Sequence, residues 1–279
     1  MRVIALLCLL ASVLSSTLCA DAVNDKVRSL VDPQSYVVHQ KLIDIIFKDR
    51  AEFFVDADHA DSVKIATALK DNGLLDIFYK NAPRNLSATF RTVRSPLFML
   101  KAVSDCLSEL GYNFTLTSNM RMDQFLFEWT LSYKSDHAID PALLSKRLMA
   151  YGIAIDDISK KGDEWVFSIS ASEPHLSEAT VLNHTQEEPL FLQNPLGEYW
   201  IRLPETAKSV VARKKTGSSW VVYTAFYDKD LNILRTRTTK NSVRLFNATV
   251  PNSAVYMKIT DNDVASNLRH GINLWIESR

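Results

Sequence analysis

The residues best placed to do chemistry by type and spacing are basic ones near the C-terminus. Arg213, Lys214 and Lys215 run together, and Lys208, Arg235, Arg237, Lys240 and Arg244 fall on neighbouring short β-type segments. If these gather on one face, they form a field that attracts anionic glycan or lipid head groups. The region from 198 to 279 holds 13 Lys/Arg against 7 Asp/Glu, whereas 172 to 197 holds four Glu and no Lys or Arg. The opposing structural role is an ordinary solvated strand face, with edge lysines that discourage aggregation.

Catalytic patterns are missing from the sequence. It contains no Gly-rich phosphate loop, Gly-x-Ser-x-Gly, His-Glu-x-x-His or Cys-x-x-Cys, and only seven glycines in 279 residues. Cys106 lies on the apolar face of an expected helix, where it reads as a small buried hydrophobe rather than a nucleophile. The six histidines are scattered; His175 and His184 lack neighbours at metal-ligand spacing. Asp56, Asp58 and Asp61 lack the glycine and closing Glu of a calcium loop and read as a helix start. Asp261-Asn262-Asp263 reads as a polar turn. The pairs Asp156-Asp157 and Asp163-Glu164 are adjacent residues, which on a strand point to opposite faces. They do not form the paired carboxyls of a glycosidase. No cofactor is expected.

The N-terminus supplies an address. Arg2, the apolar run Val3 to Val13 and the small stretch Ala20-Asp21-Ala22 read as a secretory signal peptide over 1–22. The run is shorter than the ~20 residues a membrane-spanning helix needs, so no transmembrane segment is expected. Cys8 and Cys19 fall inside the signal, leaving Cys106 alone in the processed chain. An exported protein of this size without disulfides suits a Gram-negative periplasm, where nucleic acid is not an expected partner. Asn-x-Ser/Thr matches at Asn85, Asn113, Asn183 and Asn247 read as chance.

Elements that must position the basic residues follow from punctuation and periodicity. Residues 23–84 read as a helical segment, with Val37, Val38, Leu42, Ile45 and Ile46 at helical spacing. A second helix carries Val63, Ile65, Ala66 and Leu69 between an Asp58 or Asp61 cap and Asn72-Gly73. Across 85–171, Ser95-Pro96 and Asp140-Pro141 start helices with a cap followed by proline. Phe125, Phe127, Trp129, Leu131 and Tyr133 alternate as in a half-buried strand. The order is β-α-β-β-α-β plus one strand, an expected ferredoxin-like antiparallel sheet with two helices on one face. Residues 172–197 read as a linker, within which Leu190 to Leu192 could pair with a strand. Seven short β-type runs over 198–279 indicate an antiparallel β-sandwich, so the fold class expected is α+β.

The stretch Tyr223-Thr-Ala-Phe226-Tyr227-Asp228-Lys-Asp230-Leu-Asn-Ile-Leu234, with Ala248-Thr-Val250-Pro251-Asn-Ser-Ala254-Val-Tyr256-Met-Lys258-Ile259, resembles the jelly-roll sandwich modules of bacterial surface and phage-appendage proteins. Many such modules bind carbohydrate, and the resemblance implies sugar stacking on whichever of Trp220, Tyr223, Tyr227 and Trp275 is exposed. The expectation is a non-catalytic periplasmic protein whose sandwich binds a cell-envelope partner, glycan or protein. An exported hydrolase of envelope carbohydrate and an assembly factor for an envelope complex are the alternatives. The sequence leaves the oligomeric state open.

Overall fold

The structure, a computed structural model, describes residues 22–56, 58–79, 83–181, 189–215 and 219–278. Almost all of the signal-peptide stretch, with Asn183 and His184, lies outside the described residues. The chain is mixed α+β and divides into two compact units at Glu173/Pro174. Among the described residues, no helix is long and apolar enough to cross a membrane.

The first unit opens with α1 (22–30), α2 (Pro33–Val38) and α3 (Gln40–Ile46). Asp32 caps α2 by accepting from the Gln34 and Ser35 amides, with Pro33 at the first helical position. The helical spacing expected here is present, but its orientation differs. Val37, Val38 and Ile45 are exposed, while Tyr36, Ile43 and Phe47 form the buried stripe. Apolar residues populate both sides of this segment, so periodicity alone does not choose the inner one. Helix α4 (Ser62–Asp71) is capped by Asp61, whose carboxylate accepts from Lys64 N at 2.9 Å. It buries Ile65, Ala66 and Leu69.

The sheet of this unit contains β1 (Arg84–Thr92), β2 (Thr115–Met122), β3 (Phe127–Ser135), β4 (Ile153–Lys161) and β5 (Glu164–Ala171). Helices α5 (Pro96–Glu109) and α6 (Pro141–Met149) connect β1 to β2 and β3 to β4. Asp140 caps α6 as its sequence indicates, accepting from the Ala142 and Leu143 amides. Ser95 instead adopts φ 49° and makes no side-chain cap bond to α5. Phe127, Trp129, Leu131 and Tyr133 are buried as their alternation indicates. Phe125 is exposed because it sits in the β2–β3 turn, where Asp123 accepts from the Phe125 and Leu126 amides.

The strand order is β2-β3-β1-β5-β4. β1 is antiparallel to β3 but parallel to β5, which corrects the expectation of a wholly antiparallel sheet. The β4–β5 hairpin folds back so that β5 lies between β1 and β4. The resulting register places Phe90 beside Trp129 and Phe167, with ring centroids 6.0 and 5.4 Å away, as an aromatic row beneath the helices.

The second unit contains β6 (Thr180–Val181), β7 (Leu190–Leu192), β8 (Glu198–Arg202), β9 (Ala207–Lys214) and β10 (Val222–Tyr227). It continues with β11 (Ile233–Thr238), β12 (Leu245–Thr249), β13 (Tyr256–Asp261) and β14 (Ile272–Ser278). One sheet runs β11-β10-β13-β8-β6 and the other β12-β9-β14-β7. β6 and β7 come from the stretch expected to be a linker; β7 pairs with β14 and β6 runs parallel to β8. Both sheets supply one core, with Ile201, Phe226, Met257 and Ile259 from the first and Val210, Phe246, Ile272 and Leu274 from the second.

Candidate functional site

The hairpin carrying Arg235 and Arg237 is set by its turn. The Asp228 carboxylate accepts from the Asp230 and Asn232 amides, each at 2.9 Å, and Leu231 takes φ 62°. The chain then returns along β10 with Arg235 opposite Phe226 and Arg237 opposite Thr224. Phe226 and Thr224 are fully buried, so both arginines leave β11 on its core side at the rim of the sheet. Their guanidinium groups reach the other sheet. Arg237 Nη1 donates to Asn247 O at 2.7 Å, and Arg235 Nη1 donates to Thr249 O at 3.3 Å. The Arg237 guanidinium also lies 5.4 Å from the Phe246 ring centroid.

The two acceptors are alternate carbonyls on β12, whose only strand partner among the described residues is β9. The arginines therefore occupy backbone acceptors that an edge strand would otherwise offer to solvent or to another chain.

The remaining basic residues lie on β9 and in the connections that flank β9 and β12. Lys208 is exposed at a bulge in the β9–β14 pairing, and its carbonyl accepts from Val250 N at 2.9 Å just past β12. Arg213 is exposed opposite Leu245, the first residue of β12. Lys214 follows it, Arg244 is exposed immediately before β12, and Lys240 is exposed in the β11–β12 connection. Lys215 stacks its ammonium 4.0 Å from the Phe191 ring centroid. Lys208, Arg213, Arg235, Arg237 and Arg244 thus form a belt around β12, whereas Lys214 ends β9 and Lys215 packs on β7 at the opposite edge of that sheet, so the seven expected residues do not share one face. Among the described residues, no carboxylate forms an ion pair with Lys208, Arg213 or Arg244.

The four aromatic residues do not converge. Trp220 is buried in the core, while Tyr223 and Tyr227 are half-buried on the five-stranded sheet. Trp275 is half-buried opposite Val211 on the four-stranded sheet. Tyr227 packs 5.2 Å from Trp200, and burial, with Tyr223 and Glu198 nearby, pushes its phenol up to about 12. Cys106 is fully buried, and burial raises its thiol to about 12, a value at which it stays protonated and unreactive.

The first unit contains a groove of about 1070 Å³ that sequence reading missed. Glu52, Asp56, Asp61, Asp71 and Asp156 line it beside Phe53, Val55, Met149 and Ile155. These residues come from segments almost a hundred positions apart, so no local pattern announces them. His59 Nδ1 lies 2.8 Å from Asp56 Oδ1, and that hydrogen bond and charge raise the imidazole above its ordinary value. Asp56 is held below its ordinary value by the Asp58 amide and by His59. Asp56 thus organises its own turn, and Asp61 caps α4. Among the described residues, no group of three or more His, Cys, Asp or Glu side chains could hold a metal ion. Asp261 accepts from Asp263 N and Asn267 Nδ2, as a structural turn requires.

No family model, curated protein or solved structure matches this chain.

Proposed function

We propose that this is an exported, non-catalytic periplasmic protein that binds an anionic cell-envelope glycan along the basic belt around β12. The single observation carrying this reading is the basic surround of β12: Arg235 and Arg237 on its carbonyls, Arg244 just before it, and Lys208 and Arg213 on the adjoining β9, with Lys208, Arg213 and Arg244 exposed and, among the described residues, without a carboxylate ion-pair partner. Cations held by backbone carbonyls and ring faces keep their charge available to a polyanion. The five-stranded and four-stranded sheets around one core are read as a jelly-roll-like sandwich, the architecture whose relatives include carbohydrate binders. The first unit is read as a ferredoxin-like module in which β2-β3-β1 keeps the split arrangement and β5 inserts beside β1.

The test is co-sedimentation of the full chain with peptidoglycan, together with a glycan array, at low and high salt. Retention on acidic glycans that salt releases supports the reading. Absence of retention on every glycan overturns it and directs the search to protein partners.

A further inference from the structure

Among the described residues, the long sheet edges are guarded with one exception; β11, for instance, carries Arg235 and Arg237 and an irregular register at Leu234. β4 carries Asp156, Lys160 and Lys161 with a bulge between Ile155 and Asp157. The outward carbonyls of β12 are taken by Arg235 and Arg237, which β11 supplies. β6 and β7 contain two and three residues. Short length, bulges and charge are the devices that keep an edge from pairing with another chain. β2 is different: it has eight residues, no Lys, Asp, Glu or Pro, and, among the described residues, β3 as its only strand partner.

Its surface is also apolar. Leu116 is 75 % exposed, Met120 50 % and Met122 67 %, with Phe114 at 93 % before the strand and Phe125 at 78 % after it. The one charged side chain, Arg121, is paired with the Glu128 carboxylate on β3, which it shares with Arg91 on β1. The bulge at Ser118 interrupts the strand and leaves Asn119 to Met122 as its regular run.

We propose that the β2 edge pairs with the β2 edge of a second copy of this chain, antiparallel, about a two-fold axis perpendicular to the sheet. β2 has a single charged side chain, already bonded to a carboxylate, so it can meet itself in a register that sets no like charges opposite one another, and a second copy satisfies this. A two-fold also buries the same apolar side chains twice. With Met120 on the axis, Arg121 faces Asn119 of the partner subunit rather than another arginine. Met120 and Met122 share the face of Trp129 and Phe127, so both copies place them on the helix-covered side. The product is one continuous ten-stranded sheet, and the inference does not depend on the belt around β12.

The experiment is sedimentation equilibrium of the full chain as exported and processed by the expressing cell, over a wide concentration range. The expected result is a monomer–dimer equilibrium that Met120→Lys shifts to monomer with unchanged circular dichroism. Residues directly opposite across an antiparallel pair are close enough for a disulfide. Met120→Cys therefore gives a reductant-sensitive dimer, while Ile233→Cys on β11 gives none above the parent. A monomer at every concentration, or a dimer unaffected by Met120→Lys, overturns the proposal.

Discussion

Glu128 gives the sharpest test of how the first unit is held together. Its carboxylate sits on the sheet face away from the helices and is 7 % exposed. It accepts from Arg91 Nε at 2.7 Å through Oε1 and from Arg121 through Oε2. Hydrogen bonds to a charged group contribute about 1.5–3 kcal/mol each. The arginine side chains are 42 % and 63 % exposed, so solvent screening reduces each bond to about 1 kcal/mol. Glu128→Ala should then cost about 2 kcal/mol, which in a unit of this size lowers the melting temperature by about 4–8 °C. Burial pushes the Glu128 carboxyl up, but Arg91 and Arg121 outweigh it and hold it below its ordinary value. A depressed folded value contributes stability that is present above the unfolded value and lost as pH falls through the folded one. The gap between the parent and Glu128→Gln in calorimetry should therefore be full at neutral pH and close in acid. Equal melting temperatures at neutral pH, or a gap that widens in acid, would refute the reasoning.

Gly197 has φ +69°, and an added Cβ would lie 1.7 Å from Ala265 O, a backbone atom that cannot swing aside. Gly197→Ala should destabilise the second unit by more than about 3 kcal/mol, read as loss of its unfolding transition in calorimetry. Phe226→Ala empties a fully buried site shared by both sheets and should cost about 3–5 kcal/mol in denaturant unfolding. Tyr227 should ionise late: in an ultraviolet titration, the absorbance step lost in Tyr227→Phe should centre near 12.

Local punctuation carried much of the fold. The caps at Asp61 and Asp140 are side chain to amide bonds within three residues, so sequence contains both partners. The alternation of β3 reports burial of one face, which is also local. The position of β5 was hidden because Trp165, Phe167 and Ile169 alternate in the same way beside a parallel or an antiparallel neighbour. Leu190 to Leu192 stood out within the linker stretch as a segment that could pair, but three residues are too few to name β14 as the partner. For the candidate site, the charges were legible as residue types. Their use was not, because Arg235 and Arg237 reach β12 only once Phe226 and Thr224 set the register of β11.

The belt around β12 is proposed to bind an anionic envelope glycan. The most direct test is co-sedimentation of the full chain with peptidoglycan for the parent and for Lys208→Glu, Arg213→Glu and Arg244→Glu combined. All three side chains are exposed, so the variant should fold with the parent's melting profile. The expected result is that the variant loses retention at low salt. Retention equal to the parent's in the folded variant would contradict it.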